Sequence, residues 1–364
     1  MQAQFFPSKT ITWYVARMFL VRTLAVLAAL VLILQTLDLL GESGKILAYP
    51  GNDGGDLWYY VSLRLPQLIA RFLPFAVLLA TIITLATLNQ NSEVVSMKAA
   101  GLSAHQVLAP LIVASLFVAI LSFSFNDRIV SRATATLDRW EKAEFGPIPG
   151  DRLAKTNVWV RDRTNLINAG LVTGRGEATK LENITIYDRT SGALSSVIKA
   201  KSGRRLGTGW RLEGARRFDV ASGTAADIGS IIVGSGIRPD QFTLANVDGD
   251  GMSFGGLYRA IQDLEAAGRP TASLRSILWH KLAGPLSTIL MPLLGAVAAF
   301  GIARSGRLFV RAVIGMALGF AYFVADNFGL AMGNLGAYPP LLAAWGPFFL
   351  FLLIGEFVLF KTEE

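Results

Sequence analysis

Long apolar stretches fill both ends of this chain and bracket a polar middle of about 150 residues, residues 126–275. A membrane-crossing helix needs about 20 mostly apolar residues, and six stretches are candidates: residues 18–40, 74–88, 107–125, 282–302, 309–328 and 341–360. The second is short alone, but apolar sequence from Leu57, interrupted by Arg64, Pro66 and Arg71, lets it begin earlier. Only 16% of the residues are charged, against roughly 25% in a soluble domain, and the deficit lies in these stretches. The fold class expected is an α-helical integral membrane protein of six transmembrane helices, with a β-rich domain between spans three and four. The domains expected are 1–125, 126–275 and 276–364.

Orientation follows from Lys and Arg in the short loops, which gather on the cytoplasmic side. Lys9, Arg17 and Arg22 precede or open the first span, Lys98 follows the second, Arg304, Arg307 and Arg311 crowd the turn after the fourth, and Lys361 follows the last. The other side has Lys45, and residues 332–345 hold no Lys or Arg. Both termini are therefore expected in the cytoplasm and 126–275 outside; a long translocated domain escapes the rule despite its arginines. The net charge of +8 is then anchoring charge rather than a sign of nucleic acid. A cleaved signal peptide is not expected, because the first apolar run is long, starts late and has no small-residue cleavage site after it.

In the middle segment, residues 157–161, 166–172, 183–187, 196–200 and 210–212 alternate apolar and polar side chains between turn signals, which suggests a sandwich, barrel or jelly roll. Residues 130–143 and 255–267 read as flanking helices, the second with Leu257, Ile261 and Leu264 on one face.

Catalytic chemistry is hard to find. The chain has no Cys, which excludes disulfides and thiolate metal sites, and no GxxxxGK[ST] phosphate loop. Its two histidines, His105 and His280, are far apart in sequence, so neither a zinc site nor a His-dependent triad is expected. Asn246, Asp248 and Asp250 match the first half of a calcium loop, but Leu257 stands where the bidentate Glu belongs. Ser196 and Lys199 have the spacing of a Ser/Lys dyad, yet alternation in a strand puts them on opposite faces. Asn183-Ile-Thr is a glycosylation sequon of the kind that occurs by chance. Asp38 and Asp326, near the outer ends of spans one and five, are candidate ion or proton groups, or carboxylates that reach interfacial water. Gly315 and Gly319 in span five permit close helix contact, either at a subunit interface or gate or within the chain.

The loop 89–103 between spans two and three is the most informative stretch. Ser92 can cap a helix with Glu93 in its first turn, Val94 and Met97 share a face, and Gly101 ends it. The expected product is a short amphipathic helix with an exposed apolar stripe, which lies on lipid or docks into a groove of a partner.

Around this loop the chain resembles a known family, the LptF/LptG permeases of the lipopolysaccharide transport ABC exporter, and the LptG branch more closely. The resemblance runs through Tyr14, Arg17 and Leu-Asp38-Leu-Leu, Arg64-Leu-Pro66, Phe72-Leu-Pro74, and Asn91-Ser92-Glu93-Val94-Val95-x-Met97-x-Ala-x-Gly101. It continues in Val158-Trp159-Val160-Arg161-Asp162, Trp279-x-Lys281-x-x-x-Pro285 and Tyr322-Phe-Val-x-Asp326-Asn327-Phe328-Gly329. The family implies a periplasmic jellyroll-like domain, no cofactor and no catalytic residue of its own. It also implies four partners: a paired LptF-like permease, an LptB-like ATPase dimer, an LptC-like membrane-anchored bridge protein, and lipopolysaccharide drawn from the Gram-negative inner membrane. Ser92, Glu93, Val94, Met97, Lys98 and Gly101 then form the ATPase-coupling helix. Many relatives carry a Lys near the outer end of span one where Gln35 stands here. The outer-edge candidates for lipid contact are Gln35, Asp38, Lys45, Arg64 and Arg71, the last three being basic. The paralogous LptF subunit, a secondary transporter using Asp38 and Asp326, and a membrane-anchored sensor are the competing readings; the internal symmetry expected of the transporter is not visible.

Overall fold

The computed structural model describes residues 7–147, 155–162, 165–174, 178–189, 193–207, 209–234, 237, 239, 242, 248–266, 269–300 and 308–363. Asn246, Arg304 and Arg307 lie outside them. The described residues include six helices long and apolar enough to cross a membrane. The first is α1, Lys9–Ala48, whose start is capped by the Ser8 side chain accepting from the Ile11 N–H. The second is α2, Gly54–Gln90, opened by a reciprocal capping box between Asp53 and Asp56. It runs unbroken through Pro66 and Pro74, so the span begins well before Pro74. A proline removes one backbone donor, and spanning helices tolerate that loss because neighbouring groups satisfy what is freed.

A short helix, α3, Glu93–Ala99, leads to α4, Ala104–Phe125, which Ser103 and Gln106 cap reciprocally. A π turn at Asn126–Val130 carries α4 straight into α5, Ser131–Lys142, so the expected flanking helix is a continuation of the third span. After the inserted domain come α6, Phe254–Ala266, then α7, Ala272–Phe300, α8, Leu308–Asn334, and α9, Pro340–Glu363. In the apolar windows of α2, α4 and α7, 50–56% of residues are buried, against 22% in α1, α8 and α9. The first three are thus the centre of the bundle, and the others turn apolar faces outward.

The core joins Val15 and Phe19 of α1 to Leu78 and Leu85 of α2, Leu108 and Leu111 of α4, and Leu290 and Leu294 of α7. Gly319 of α8 lies directly against the Leu78 side chain, where a Cβ would collide. Gly315 is also buried. The small-residue face at Gly319 therefore serves packing within the chain.

The second unit contains the inserted sheet. Its strands are β1, Lys155–Asp162; β2, Asn165–Thr173; β3, Lys180–Asp188; β4, Ser196–Leu206; β5, Gly209–Asp219; and β6, Ala225–Val233. They pair antiparallel in sequence order, β1 to β6, so the described ladder is a simple meander. The insert is β-rich as expected, with one strand more than the alternation suggested. β6 escaped because Ala-Ala-Asp-Ile-Gly-Ser-Ile-Ile-Val does not alternate; it is a largely exposed edge, paired across a register shift at Ala215. One face buries Val158, Ile167, Ile184, Ile198 and Leu212. Trp210, 1% exposed, donates its indole N–H to the Ile237 carbonyl at 3.0 Å. In β4 Ser196 is buried and Lys199 exposed, as alternation requires. Leu257, Ile261 and Leu264 of α6 are all buried, the face that their spacing indicated.

Candidate functional site

The helical unit has two ends: the insert end, where α4 leaves for the sheet, and the opposite end, where α2 turns through α3 into α4. The sequence candidates fall into three clusters.

The first cluster is at the insert end of α1 and α2. Asp38 stands 11 residues before Tyr49 and Arg64 stands 11 after Asp53, the limits of the turn between these helices. Antiparallel neighbours place such residues at one depth. Arg64 grips Asp38 bidentately, Nε to Oδ2 at 3.1 Å and Nη2 to Oδ1 at 3.0 Å, and the Tyr60 hydroxyl donates to Oδ2 at 2.7 Å. Arg64 Nη1 donates to Gln67 at 2.9 Å. These two charges are therefore partners within the chain. Gln35 stands one turn before Asp38 in α1. It is 8% exposed, with no amide partner among the described residues, so it points inward. Lys45 pairs with Glu42 at 2.9 Å, one turn away, and its side chain is 67% exposed.

The second cluster surrounds a cavity of about 420 Å³ between α2, α4, α7 and α8. His280 Nε2 is 2.9 Å from Asp326 Oδ2. The sequence reading missed this pair, although a signal existed. His280 is 21 residues before position 301 and Asp326 is 19 after position 307, so antiparallel neighbours would hold them at nearly one depth. Asp326 Oδ1 and the Tyr322 hydroxyl are buried without a hydrogen-bond partner among the described residues. Phe75 and Phe323 meet edge to face at 5.1 Å on the same wall, and Arg71 lines the cavity from α2. The other histidine, His105, is 3.4 Å from Glu356 of α9, near the opposite end.

The third cluster is α3. The chain enters it through Ser92, whose φ of 57° is left-handed and whose side chain makes no cap. The expected serine cap is thus absent; Asn91 Nδ2 instead donates to Glu93 Oε1 at 3.3 Å. The Tyr14 hydroxyl of α1 donates to the same oxygen at 3.3 Å. At the far end Gly101, φ 85°, closes the helix as expected. The Leu102 N–H bonds the Met97 carbonyl at 3.1 Å and the Gly101 N–H bonds that of Lys98 at 2.9 Å, the paired bonds of a Schellman turn.

The apolar stripe of α3 points the other way from expectation. Val94 is 7% exposed within the bundle core, and Met97 packs against that core. The outward side carries Val95, 60% exposed, with Ser96 and Lys98. Spacing identified a shared face correctly but not which side it turned to. The flanking spans offer α3 an apolar seat, and Val94 and Met97 take it.

A family model described as lipopolysaccharide export system permease LptF/LptG matches residues 13–361. The chain is 25% identical over 354 residues to the lipopolysaccharide export system permease protein LptG of Escherichia coli strain K12, with 94% of each chain covered. It is 24% identical over 326 residues to the LptG protein of Haemophilus influenzae, covering 86% of this chain and 89% of that one.

Proposed function

The chain belongs to the LptF/LptG family of lipopolysaccharide export permeases, and on that premise we propose that it is the LptG-type subunit of the exporter. Its work is to draw lipopolysaccharide from the inner membrane and pass it to a periplasmic bridge. The family match that spans all six apolar helices and the inserted sheet together carries the permease reading, and the likeness to LptG proteins over 94% and 86% of the chain supports the LptG branch. The partners we propose are an LptB-like ATPase dimer, an LptF-like permease and an LptC-like anchored protein. Asp38 is engaged by Arg64 and Tyr60, which disfavours its use as an ion site.

Co-purification in mild detergent tests the assembly. A second six-span permease and an ATPase are expected to come down with the full chain; recovery of the chain alone would sink the reading. The purified chain by itself is expected to hydrolyse no ATP, since it has no phosphate loop. Sustained hydrolysis that follows the chain through gel filtration would contradict this.

Both termini and α3 are proposed to face the cytoplasm and the sheet the periplasm, from the Lys/Arg asymmetry of the short loops. Because the chain has no Cys, single cysteines report cleanly. In intact spheroplasts, Ala221→Cys, in the exposed turn between β5 and β6, is expected to react with an impermeant thiol reagent, and Thr362→Cys only after lysis. The reverse pattern would invert the topology. Lys45 is the basic side chain we propose for cargo phosphates at the outer edge. Its exposed pair with Glu42 holds it weakly, as surface pairs contribute about 0–1 kcal/mol.

A further inference from the structure

The cavity between α2, α4, α7 and α8 brings opposite charges to one depth without joining them. Leu78 of α2 faces Gly319 of α8, and Phe75 meets Phe323 one turn further toward the insert end. Continuing that antiparallel alignment by three or four residues brings Arg71 level with Asp326. Both line the cavity, yet no hydrogen bond or ion pair links them among the described residues. Arg71 is exposed and has no such partner there at all.

The other charged groups of the cavity are engaged. Asp127 accepts the Phe254 N–H through Oδ1, and Lys281 Nζ lies 3.3 Å from the Asp250 carbonyl. His280 is held by Asp326 Oδ2. What remains open is a guanidinium on one side and, on the other, a carboxylate oxygen beside a phenol. Tyr322 is 4% exposed, and its hydroxyl and Asp326 Oδ1 are both buried and unpartnered among the described residues. A buried ionised oxygen left without a donor is costly, and the bond that best offsets the cost is charge-assisted.

We infer that this cavity binds the phosphoethanolamine head of a single phospholipid, with the ammonium on Asp326 and Tyr322 and the phosphate on Arg71. The ammonium brings N–H donors to the open oxygen, and the aromatic wall of Phe75, Tyr322 and Phe323 favours a cation over its rings. Guanidinium groups bind phosphate through paired donors. The volume, about 420 Å³, lies in the range of small-ligand pockets. The inference rests on the bundle being in a bilayer and is independent of which lipid is exported. The site holds a resident lipid, separate from the cargo.

The test uses the full chain with its co-purifying partners in nanodiscs of phosphatidylethanolamine, phosphatidylglycerol or phosphatidylcholine. A photo-crosslinking residue replaces Phe123 on the cavity wall, and lipid adducts are weighed by mass spectrometry. Adduct yield is expected to be at least about fivefold higher with phosphatidylethanolamine than with either other lipid, because one lacks a cation and the other lacks N–H donors. Asp326→Asn is expected to remove the preference, and Arg71→Gln to lower the yield. Equal yields from the three lipids would mean unselective packing and overturn the site. So would adducts with the exported lipid alone when it is supplied, since the cavity would then belong to the export path. If Arg71 and Asp326 instead pair directly, the two variants lose thermal stability non-additively and the adduct pattern is unchanged, which also overturns the proposal. The comparison among lipids needs neither variant, so a misfolded variant leaves the test intact.

Discussion

Asp38→Ala is expected to cost the folded bundle about 2 kcal/mol or more, seen as a lower thermal midpoint in detergent or nanodiscs. The substitution removes the acceptor of three hydrogen bonds and leaves Arg64 with Gln67 as its hydrogen-bond partner among the described residues. Breaking one side of a fully buried ion pair costs roughly 3–5 kcal/mol. The side chains here are 29% and 21% exposed, so solvent returns part of that. Removing both charges, as in Asp38→Leu with Arg64→Met, should be milder than the two single changes added together, because no orphan charge is left. Strict additivity of the two singles would show that the bidentate contact contributes nothing. The same experiment bears on the lipid. Were Arg64 a phosphate receptor in its own right, freeing it with Asp38→Ala would raise lipid capture; the prediction is that capture does not rise.

That ion pair also shows what sequence reading reaches. Six spans, the β-rich insert and the α6 face follow from the length and period of apolar runs, because bilayer thickness and strand alternation act locally. Placing Asp38 against Arg64, or His280 against Asp326, requires knowing which helices are neighbours and at what depth. The similar spacing of each pair about the segment between its helices carried the depth, and adjacency came only with the fold. Apolar sequence from Leu57 let span two begin before Pro74, and α2 does run through both Pro66 and Pro74, because a proline rule learned in water weakens where neighbouring helices satisfy the freed backbone. For α3 the period was right and the facing wrong. Seven residues contain too few apolar positions to say whether the stripe meets its own bundle or a partner.

The inward turn of Val94 and Met97 changes which residues of α3 can meet the proposed ATPase. These two anchor the helix, so Val94→Ala is expected to destabilise the loop by about 1–2 kcal/mol, from roughly 0.8 kcal/mol per buried methylene. We propose that docking falls instead to Glu93, Val95 and Lys98. Glu93 is half-buried and oriented by Tyr14 and Asn91, so its carboxylate is pre-positioned, and little freedom is lost when a cationic partner arrives. Truncating one side of a desolvated interfacial charge pair costs about 2–5 kcal/mol. Glu93→Ala should therefore weaken ATPase recovery, or separate hydrolysis from lipid release in the reconstituted complex, while the chain itself stays folded. Val95→Glu should do the same from the apolar side, placing a charge where 60% of the residue is open in the isolated chain. Tyr14→Phe removes one donor that holds Glu93 and should give a smaller loss of the same kind. A helix that merely lies on lipid predicts the opposite sign, since removing an acidic group beside an anionic leaflet is neutral or favourable. Assembly, hydrolysis and release all at parental levels in both Glu93→Ala and Val95→Glu would leave α3 as a structural turn with no coupling role.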